Sequence, residues 1–255
     1  LYVTSRSSPR NGGFNFFSPP IPGYGSSGGS EYGVETATDV EVGAKFKGRV
    51  AEMPARFNLA VYNLEVKNAQ RVTYTVLYGA LAAVTVNVPK TRVTGLELDG
   101  SINPATWLQL GGSFNLTDAK FTDNQVSVLG APPVAFGPVP DLARRSGVAY
   151  AEFSSYVADE LKLSLRAEGY GQSQSTFSST GDTVNPGTTL PGYGLVNVRL
   201  TLDDQKAGWS VALVGRNLAN KVYYVGGIGF GSLFTYNLAV PGSPRMGAVE
   251  ARYRF

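Results

Sequence analysis

The chain has 255 residues, a formal net charge of +3 and only 16% charged residues, whereas ordinary globular domains have about 25%. It contains no cysteine and no histidine, which excludes disulfide scaffolds, Cys/His zinc sites and every catalytic arrangement that needs a histidine. We therefore expect no enzyme activity, no catalytic residue, no metal and no cofactor, and the small net charge argues against nucleic acid as a partner.

Apolar and polar residues alternate along most of the chain, a pattern typical of β-strands with two different faces. Over 40–47 the even positions hold valine, alanine and phenylalanine, and the odd positions hold glutamate, glycine and lysine. No segment of comparable length shows helical periodicity. The pattern predicts an all-β fold of about ten strands, near 1–7, 35–47, 54–66, 90–102, 106–117, 144–155, 160–172, 192–203, 208–222 and 245–255.

The lengths of the strands and connections favour a membrane barrel over a soluble sandwich. Most predicted strands exceed the ~5–6 residues usual in globular proteins and reach the ~9–11 that cross a bilayer at a tilt. Short turns near 48–53, 103–105, 156–159 and 204–207 alternate with long connections at 8–34, 67–89, 118–143, 173–191 and 223–244. Bacterial outer-membrane barrels have short periplasmic turns and long external loops. We therefore expect an antiparallel up-and-down transmembrane β-barrel.

Aromatic residues gather near the short turns, where the boundary between lipid and periplasm is expected. The predicted periplasmic aromatic girdle consists of Phe46, Phe57, Phe153, Tyr156 and Trp209. Trp107 stands at the same height, but it shares its parity with Gln109 and Ser113, which predicts an inward orientation.

Several stretches, in chain order, resemble the barrel of TonB-dependent outer-membrane receptors. They read LYVTSRS at 1–7, NGGFN at 11–15, VETATDVEVGAK at 34–45, FNLAVY at 57–62, GLELD at 95–99, GSFNLTDAKFT at 112–122, VGRNLANKVY at 214–223 and PRMG at 244–247. No one of these motifs is decisive, but the ordered set is specific to the family.

The resemblance implies that residues 1–255 form the C-terminal portion of a barrel of about 22 strands, without the plug domain and N-terminal strands that members also have. It implies a part in the active uptake of a ferric siderophore, cobalamin or oligosaccharide across the outer membrane of a Gram-negative cell. The TonB complex would act through the plug. Because the chain begins at Leu1 and not at methionine, we expect a processed chain or a fragment.

The first long connection is a candidate for ligand binding. Phe14, Phe16, Phe17 and Tyr24 stand there among glycine, serine and proline. Apolar rings on an external loop can cover a small-molecule ligand such as a siderophore. They can equally pack against neighbouring loops or against a plug.

The last strand presents Val249, Ala251, Tyr253 and Phe255 on one face. An aromatic C-terminus of this kind resembles the assembly signal that outer-membrane proteins present to the barrel-assembly machinery. An exposed strand edge with an apolar face is also a physical template for pairing. The alternative is a last strand that simply faces the outer-membrane lipid.

Two interpretations remain open for the whole chain. One is the receptor portion described above. The other is a self-contained ten-stranded outer-membrane barrel that acts as an adhesin or small pore, since closed bacterial barrels have an even number of strands. Backbone pairing between 1–7 and 245–255 would favour closure, and its absence would favour an open sheet.

Overall fold

The computed structural model describes residues 1–15, 30–77, 80–128, 133–179 and 187–254. One antiparallel sheet of ten strands dominates them, and strands that follow one another in the chain are neighbours in the sheet. The strands β1 to β10 are Tyr2–Arg10, Glu35–Val50, Met53–Leu77, Ala80–Ala105, Leu108–Asp123, Arg145–Ala158, Leu161–Gln172, Tyr193–Asp204, Trp209–Arg216 and Met246–Tyr253. The predicted all-β, antiparallel up-and-down fold is confirmed.

The sheet does not close on itself. β1 pairs with β2, β10 pairs with β9, and among the described residues no backbone pairing joins β1 to β10. Both outer strands therefore keep one edge without a strand partner. The open sheet, and not the ten-stranded ring, is the arrangement that the structure contains.

The predicted loop over 67–89 is wrong, because the two flanking strands continue through it. Lys67 pairs with Lys90 and Ala69 with Val88, and the pairing goes on to the end of both strands. Asn68, between these pairs, takes a left-handed backbone with φ 53°. Asparagine tolerates this conformation inside a strand pair, so residues that usually end strands do not end these.

The other long connections contain short strand pairs. These pairs are Gly13–Phe14 with Glu31–Tyr32, Gln125–Val126 with Val134–Ala135, Ser175–Thr176 with Thr189–Leu190, and Tyr224–Gly229 with Asn237–Pro241. One turn of helix, Gly231–Phe234, joins the last pair. Among the described residues, no helix has the length and apolar character needed to cross a membrane.

Apolar residues of neighbouring strands lie in register on one face of the sheet. Val42 pairs with Val61, Val61 with Leu96, and Leu59 with Leu98. These side chains are not buried by the fold: Val42 is 53% exposed and Val61 is 51% exposed. An apolar face that stays exposed across several strands suits contact with hydrocarbon better than contact with water.

The opposite face is polar, and its side chains bind one another across the strands. The Arg6 guanidinium donates to the Asp39 carboxylate at 2.7 Å, and Asn58 Nδ2 donates to the Asp99 carboxylate at 2.9 Å. Such pairs stabilise a charged, hydrated wall without burying a lone charge. The two faces are those that the alternation of the sequence predicts.

Asn217 ends β9 earlier than the predicted boundary at residue 222. It has a left-handed backbone with φ 48° and is 3% exposed. Its Nδ2 donates to the carbonyls of Lys221 and Ser243 at 2.9 and 3.1 Å, and its Oδ1 accepts the Lys221 N–H at 2.8 Å. Its own N–H donates to Asn197 Oδ1 at 3.0 Å. The side chain therefore ties both ends of the last long connection to the sheet.

Replacement of this side chain tests its role in stability. Asn217→Ala removes three side-chain hydrogen bonds of about 1 kcal/mol each, and should lower the free energy of unfolding by about 3 kcal/mol. Urea unfolding of the detergent-solubilised protein, followed by tryptophan fluorescence, measures this. Asn63→Ala, at an exposed position of β3, is the control and should change stability by less than about 0.5 kcal/mol. Unfolding curves that coincide for both variants would contradict the role.

Candidate ligand-binding site

β3 and β4 run past the ends of their neighbours and form an outer hairpin, residues 69–77 and 80–88. Pairing of β2 with β3 ends opposite Lys67, and pairing of β5 with β4 ends opposite Lys90. The outer hairpin therefore projects from the end of the sheet that carries the long connections.

An apolar cluster holds the outer hairpin against the connection that follows β5. It contains Val84, Val86, Val88, Val126 and Phe136, with Ala69. Val66, three residues before Ala69, packs on the same cluster, although residues three apart in a regular strand face opposite sides. The left-handed Asn68 between them explains this one-residue shift in the alternation.

Four separate parts of the chain enclose a cavity of about 430 Å³ beside the outer hairpin. The outer hairpin contributes one wall, and the connections after β5, β7 and β9 contribute the others. The lining residues are Arg71, Val72, Thr73, Tyr74, Phe136, Pro140, Asp141, Phe177, Ser178, Ser179, Gly227, Ile228 and Gly229. Buried rings and a few polar groups in one concave space are typical of small-molecule sites.

Arg71 is the cation of this outer cavity. Its Nη1 donates to the Gln70 carbonyl at 3.3 Å, and its buried Nε has no hydrogen-bond partner. Among the described residues Arg71 forms no ion pair, although the Asp141 side chain lines the same cavity. A partly buried guanidinium without an ion pair favours an anionic ligand, because charge-assisted hydrogen bonds are the strongest that it can form.

An aromatic cluster adjoins the outer cavity through Tyr74. The Tyr74 and Phe230 rings lie 5.2 Å apart edge to face, and Phe230 contacts Phe234 at 5.7 Å and Tyr236 at 6.1 Å between centroids. Edge-to-face pairs at these distances are attractive. The Phe230 ring, directly before the single helical turn, thus brings the last long connection into contact with the outer hairpin.

The polar wall below the outer cavity is held together by ion pairs. Arg166 on β7 donates to Glu152 at 3.4 Å and to Glu168 at 3.2 Å, and lies 3.6 Å over the Tyr150 ring. Arg166 thus binds two carboxylates and an aromatic ring of the wall, and these contacts explain its presence there without a ligand. Among the described residues no group of three or more acidic side chains is placed to hold a metal ion.

The ligand-binding candidates from the sequence do not line the outer cavity where they can be placed. Phe14 is 67% exposed and belongs to the short strand pair Gly13–Phe14 with Glu31–Tyr32. Phe16, Phe17 and Tyr24 lie outside the described residues. Their role in binding stays a prediction.

The residues predicted for the aromatic girdle all lie near the short turns. Phe46 and Phe57 stack at 6.4 Å on the apolar face, and Trp209 pairs in register with Tyr253. Phe153 stacks at 6.0 Å on Trp107. Trp107 therefore does not point inward as its parity predicted, because it belongs to the turn between β4 and β5.

Tyr156 takes the register of the polar face and not that of Phe153. It pairs with Lys162 and its hydroxyl donates to Gln205 Oε1 at 3.4 Å. Its ring is still largely exposed at the turn.

The proposed assembly residues lie on the outermost strand. Val249 and Tyr253 on β10 are 71% and 60% exposed, and Ala251 is exposed between them. They share one face of a strand whose outer edge is unpaired among the described residues. Phe255 lies outside the described residues.

Sequence reasoning missed Arg71 and Tyr74 because they fall within the predicted loop 67–89. A signal was present: VTYTV at 72–76 and VTVNV at 84–88 are rich in β-branched residues, which favour strands. Asn68 and Pro89 concealed the signal, since both residues usually interrupt strands.

The ten-stranded antiparallel sheet is an open β-barrel wall, and its long connections lie at one end. The chain belongs to the TonB-dependent receptor barrel family: the family model described as "TonB dependent receptor-like, beta-barrel" matches residues 4–218. The family and its fold are those of outer-membrane receptor and transporter barrels. The comparison with curated proteins gives no match.

Solved receptor structures share the fold at low sequence identity. The ferric yersiniabactin uptake receptor from Yersinia pestis is 14% identical, with a TM-score of 0.72, and the match covers 99% of this chain and 34% of that one. A copper transporter is 15% identical, with a TM-score of 0.74, covering 100% and 36%. The closed form of the ferric-catecholate import receptor from E. coli K12 is 18% identical, with a TM-score of 0.66, covering 99% and 32%. This chain thus spans about a third of the length of each of these three proteins.

Removal of the Phe136 ring tests how the outer hairpin is held. Phe136 is 1% exposed within the apolar cluster, so Phe136→Ala should lower the local stability of the outer hairpin by about 3 kcal/mol. Hydrogen exchange of the amides of 84–88, measured by mass spectrometry, should become faster. Phe14→Ala removes an exposed ring and is the matched control, with no change in these amides expected. Equal exchange in both variants would show that the cluster does not hold the outer hairpin.

Proposed function

We propose that this chain is the C-terminal portion of the barrel of an outer-membrane TonB-dependent receptor that takes up a scarce nutrient. The observation that carries the proposal is the outer cavity, in which four parts of the chain meet around Arg71 at the end with the long connections. Family membership supports the receptor role. The N-terminal strands of the receptor, outside residues 1–255, would then complete the barrel and pair with the free edges of β1 and β10.

Among the ligand classes that the family resemblance implies, the outer cavity favours a ferric siderophore. Arg71 offers an anionic group a guanidinium that forms no ion pair among the described residues, and Tyr74, Phe136 and Phe177 offer aromatic surface. Cobalamin and neutral oligosaccharides have less need of a guanidinium. Of the structurally similar proteins, one is described as a ferric yersiniabactin uptake receptor and another as a ferric-catecholate import receptor.

The alternative function, a self-contained adhesin or pore, receives less support. A small closed barrel would need the outer edges of β1 and β10 to pair with each other, and among the described residues they do not. An open sheet cannot stay in lipid with unpaired edges. More strands on the same barrel would satisfy those edges.

The proposed partners follow from the surfaces of the sheet. The apolar face would contact outer-membrane lipid, with Phe46, Phe57, Phe153, Trp107 and Trp209 near the periplasmic boundary. The last strand, with Val249, Ala251, Tyr253 and Phe255, would engage the barrel-assembly machinery. The TonB complex would act through a plug domain outside residues 1–255.

A charge on the apolar face tests the membrane orientation of the sheet. Val61→Arg places a guanidinium among exposed apolar side chains and should cost about 2–4 kcal/mol if that face meets lipid. We expect the amount of folded receptor in the outer membrane to fall, measured by heat-modifiable migration on gels. Ala60→Arg is the matched control, because residue 60 lies on the polar face opposite Glu97 and should tolerate the charge. Equal assembly of the two variants would contradict the orientation.

Transport of radioactive iron tests the function and the role of Arg71. Cells that depend on the full-length receptor should take up one of three anionic ferric complexes, with enterobactin, 2,3-dihydroxybenzoate or citrate. Arg71→Ala should raise the KM for that complex about tenfold, since a charged hydrogen bond contributes about 1.5 kcal/mol. Arg49→Ala, at a short turn next to Glu52, is the control and should leave KM unchanged. Absence of uptake of all three complexes would overturn the proposed function.

A further inference from the structure

Side-chain amides bind the first long connection to the outer hairpin. Asn15 Oδ1 accepts the Thr85 N–H at 2.7 Å, and Asn15 Nδ2 donates to the Thr85 carbonyl at 2.9 Å. The same Nδ2 donates to the Ser30 carbonyl at 3.1 Å. The Asn15 side-chain amide thus donates one hydrogen bond to Thr85 and accepts one from it, as the backbone of a neighbouring strand would.

Asn87 repeats this arrangement further down β4. Its Oδ1 accepts the Gly33 N–H at 2.6 Å, and its Nδ2 donates to the Gly33 carbonyl at 3.1 Å. The Nδ2 also donates to the Asn68 carbonyl at 2.7 Å, at the left-handed residue where the alternation shifts. Asn87 therefore joins the first connection, β4 and the base of the outer hairpin in one network.

Gln70 completes the network from β3. Its Nε2 donates to the carbonyls of Asn11 and Gly33 at 2.8 and 3.1 Å, and its backbone N–H donates to Glu35 Oε2 at 2.6 Å. The Gln70 carbonyl accepts the hydrogen bond from Arg71 Nη1. The network thus ends at the guanidinium that lines the outer cavity.

The outer hairpin depends on such a network because, in the part of the chain that the structure describes, no long strand flanks it. Beyond Lys67 and Lys90 the described strands of the ten-stranded sheet do not pair with the outer edges of β3 and β4. A two-stranded ribbon of this kind is marginally stable and twists freely. The three amides supply donors and acceptors that fix its direction.

We propose that Asn15, Gln70 and Asn87 are positioning residues: they orient the outer hairpin so that Arg71 faces the ligand in the outer cavity. The inference rests on the proposed function, in which Arg71 binds an anionic complex. None of the three amides lines the cavity. They act on binding through the placement of Arg71. Binding of the ligand therefore depends on contacts between the first long connection and the outer hairpin, which lie outside the cavity itself.

Uptake kinetics of the full-length receptor test this positioning. The probe is radioactive iron in whichever of the anionic enterobactin, 2,3-dihydroxybenzoate and citrate complexes the unmutated receptor transports. Asn87→Ala removes three side-chain hydrogen bonds, and we expect about 1 kcal/mol of their energy to act on the placement of Arg71. KM should therefore rise about fivefold, and Vmax should stay unchanged. Asn15→Ala should do the same, and it serves in place of Asn87→Ala if that variant fails to assemble. Asn58→Ala, whose amide binds Asp99 on the polar wall, is the matched control with unchanged KM.

A double-mutant cycle separates positioning from general stabilisation. Asn87→Ala combined with Arg71→Ala should raise KM no more than Arg71→Ala alone, because the amide acts through Arg71. Additive effects, or an unchanged KM in Asn87→Ala and Asn15→Ala while Arg71→Ala raises it, would overturn the inference and leave the proposed function standing. Absence of uptake by the unmutated receptor would overturn the proposed function, and the inference with it.

Discussion

The pairing of backbone groups between long neighbouring strands is the constraint on which the rest of this structure depends. Hydrocarbon offers no hydrogen bonds, so a strand in lipid must satisfy its N–H and C=O groups on the strands beside it. Each strand from β1 to β10 pairs with the next one in the sheet, so the apolar side chains of Val42 and Val61 can remain exposed while the backbone groups between the strands are paired. The same pairing turns the polar side chains to one face, where Arg6 and Arg166 find carboxylates within 3.4 Å.

Beyond the ends of the neighbouring strands, side chains supply hydrogen bonds and packing to the outer hairpin. The outer hairpin continues beyond β2 and β5 because its two strands pair with each other, and an apolar cluster around Phe136 supports it. Asn15 and Asn87 then supply hydrogen bonds that a third strand would otherwise supply. The cavity around Arg71 exists because this projecting hairpin meets connections from three other parts of the sheet.

The alternation of apolar and polar residues predicts the strands in the wall of the sheet, but it does not predict the outer hairpin. Over 40–47 each residue lies on the apolar face or on the polar face of the sheet, so the period can be read directly. At Asn68 the backbone changes hand, and Val66 and Ala69 come to share one cluster. A fixed period cannot pass through such a shift, which is why the outer hairpin and Arg71 were missed. The inward orientation predicted for Trp107 was wrong for a related reason: Trp107 lies in a turn, where the alternation of a strand does not apply.

The sequence by itself determined the all-β class, the four short turns and the division of each strand into two faces. These properties are local, since each follows from the period of a single strand and from the length between strands. Only the tertiary structure decided that the sheet stays open, that β3 and β4 project beyond it, and that Arg71, Phe136 and Phe177 surround one cavity. These depend on contacts between residues far apart in the chain, such as that between Asn15 and Thr85, and no local period records them.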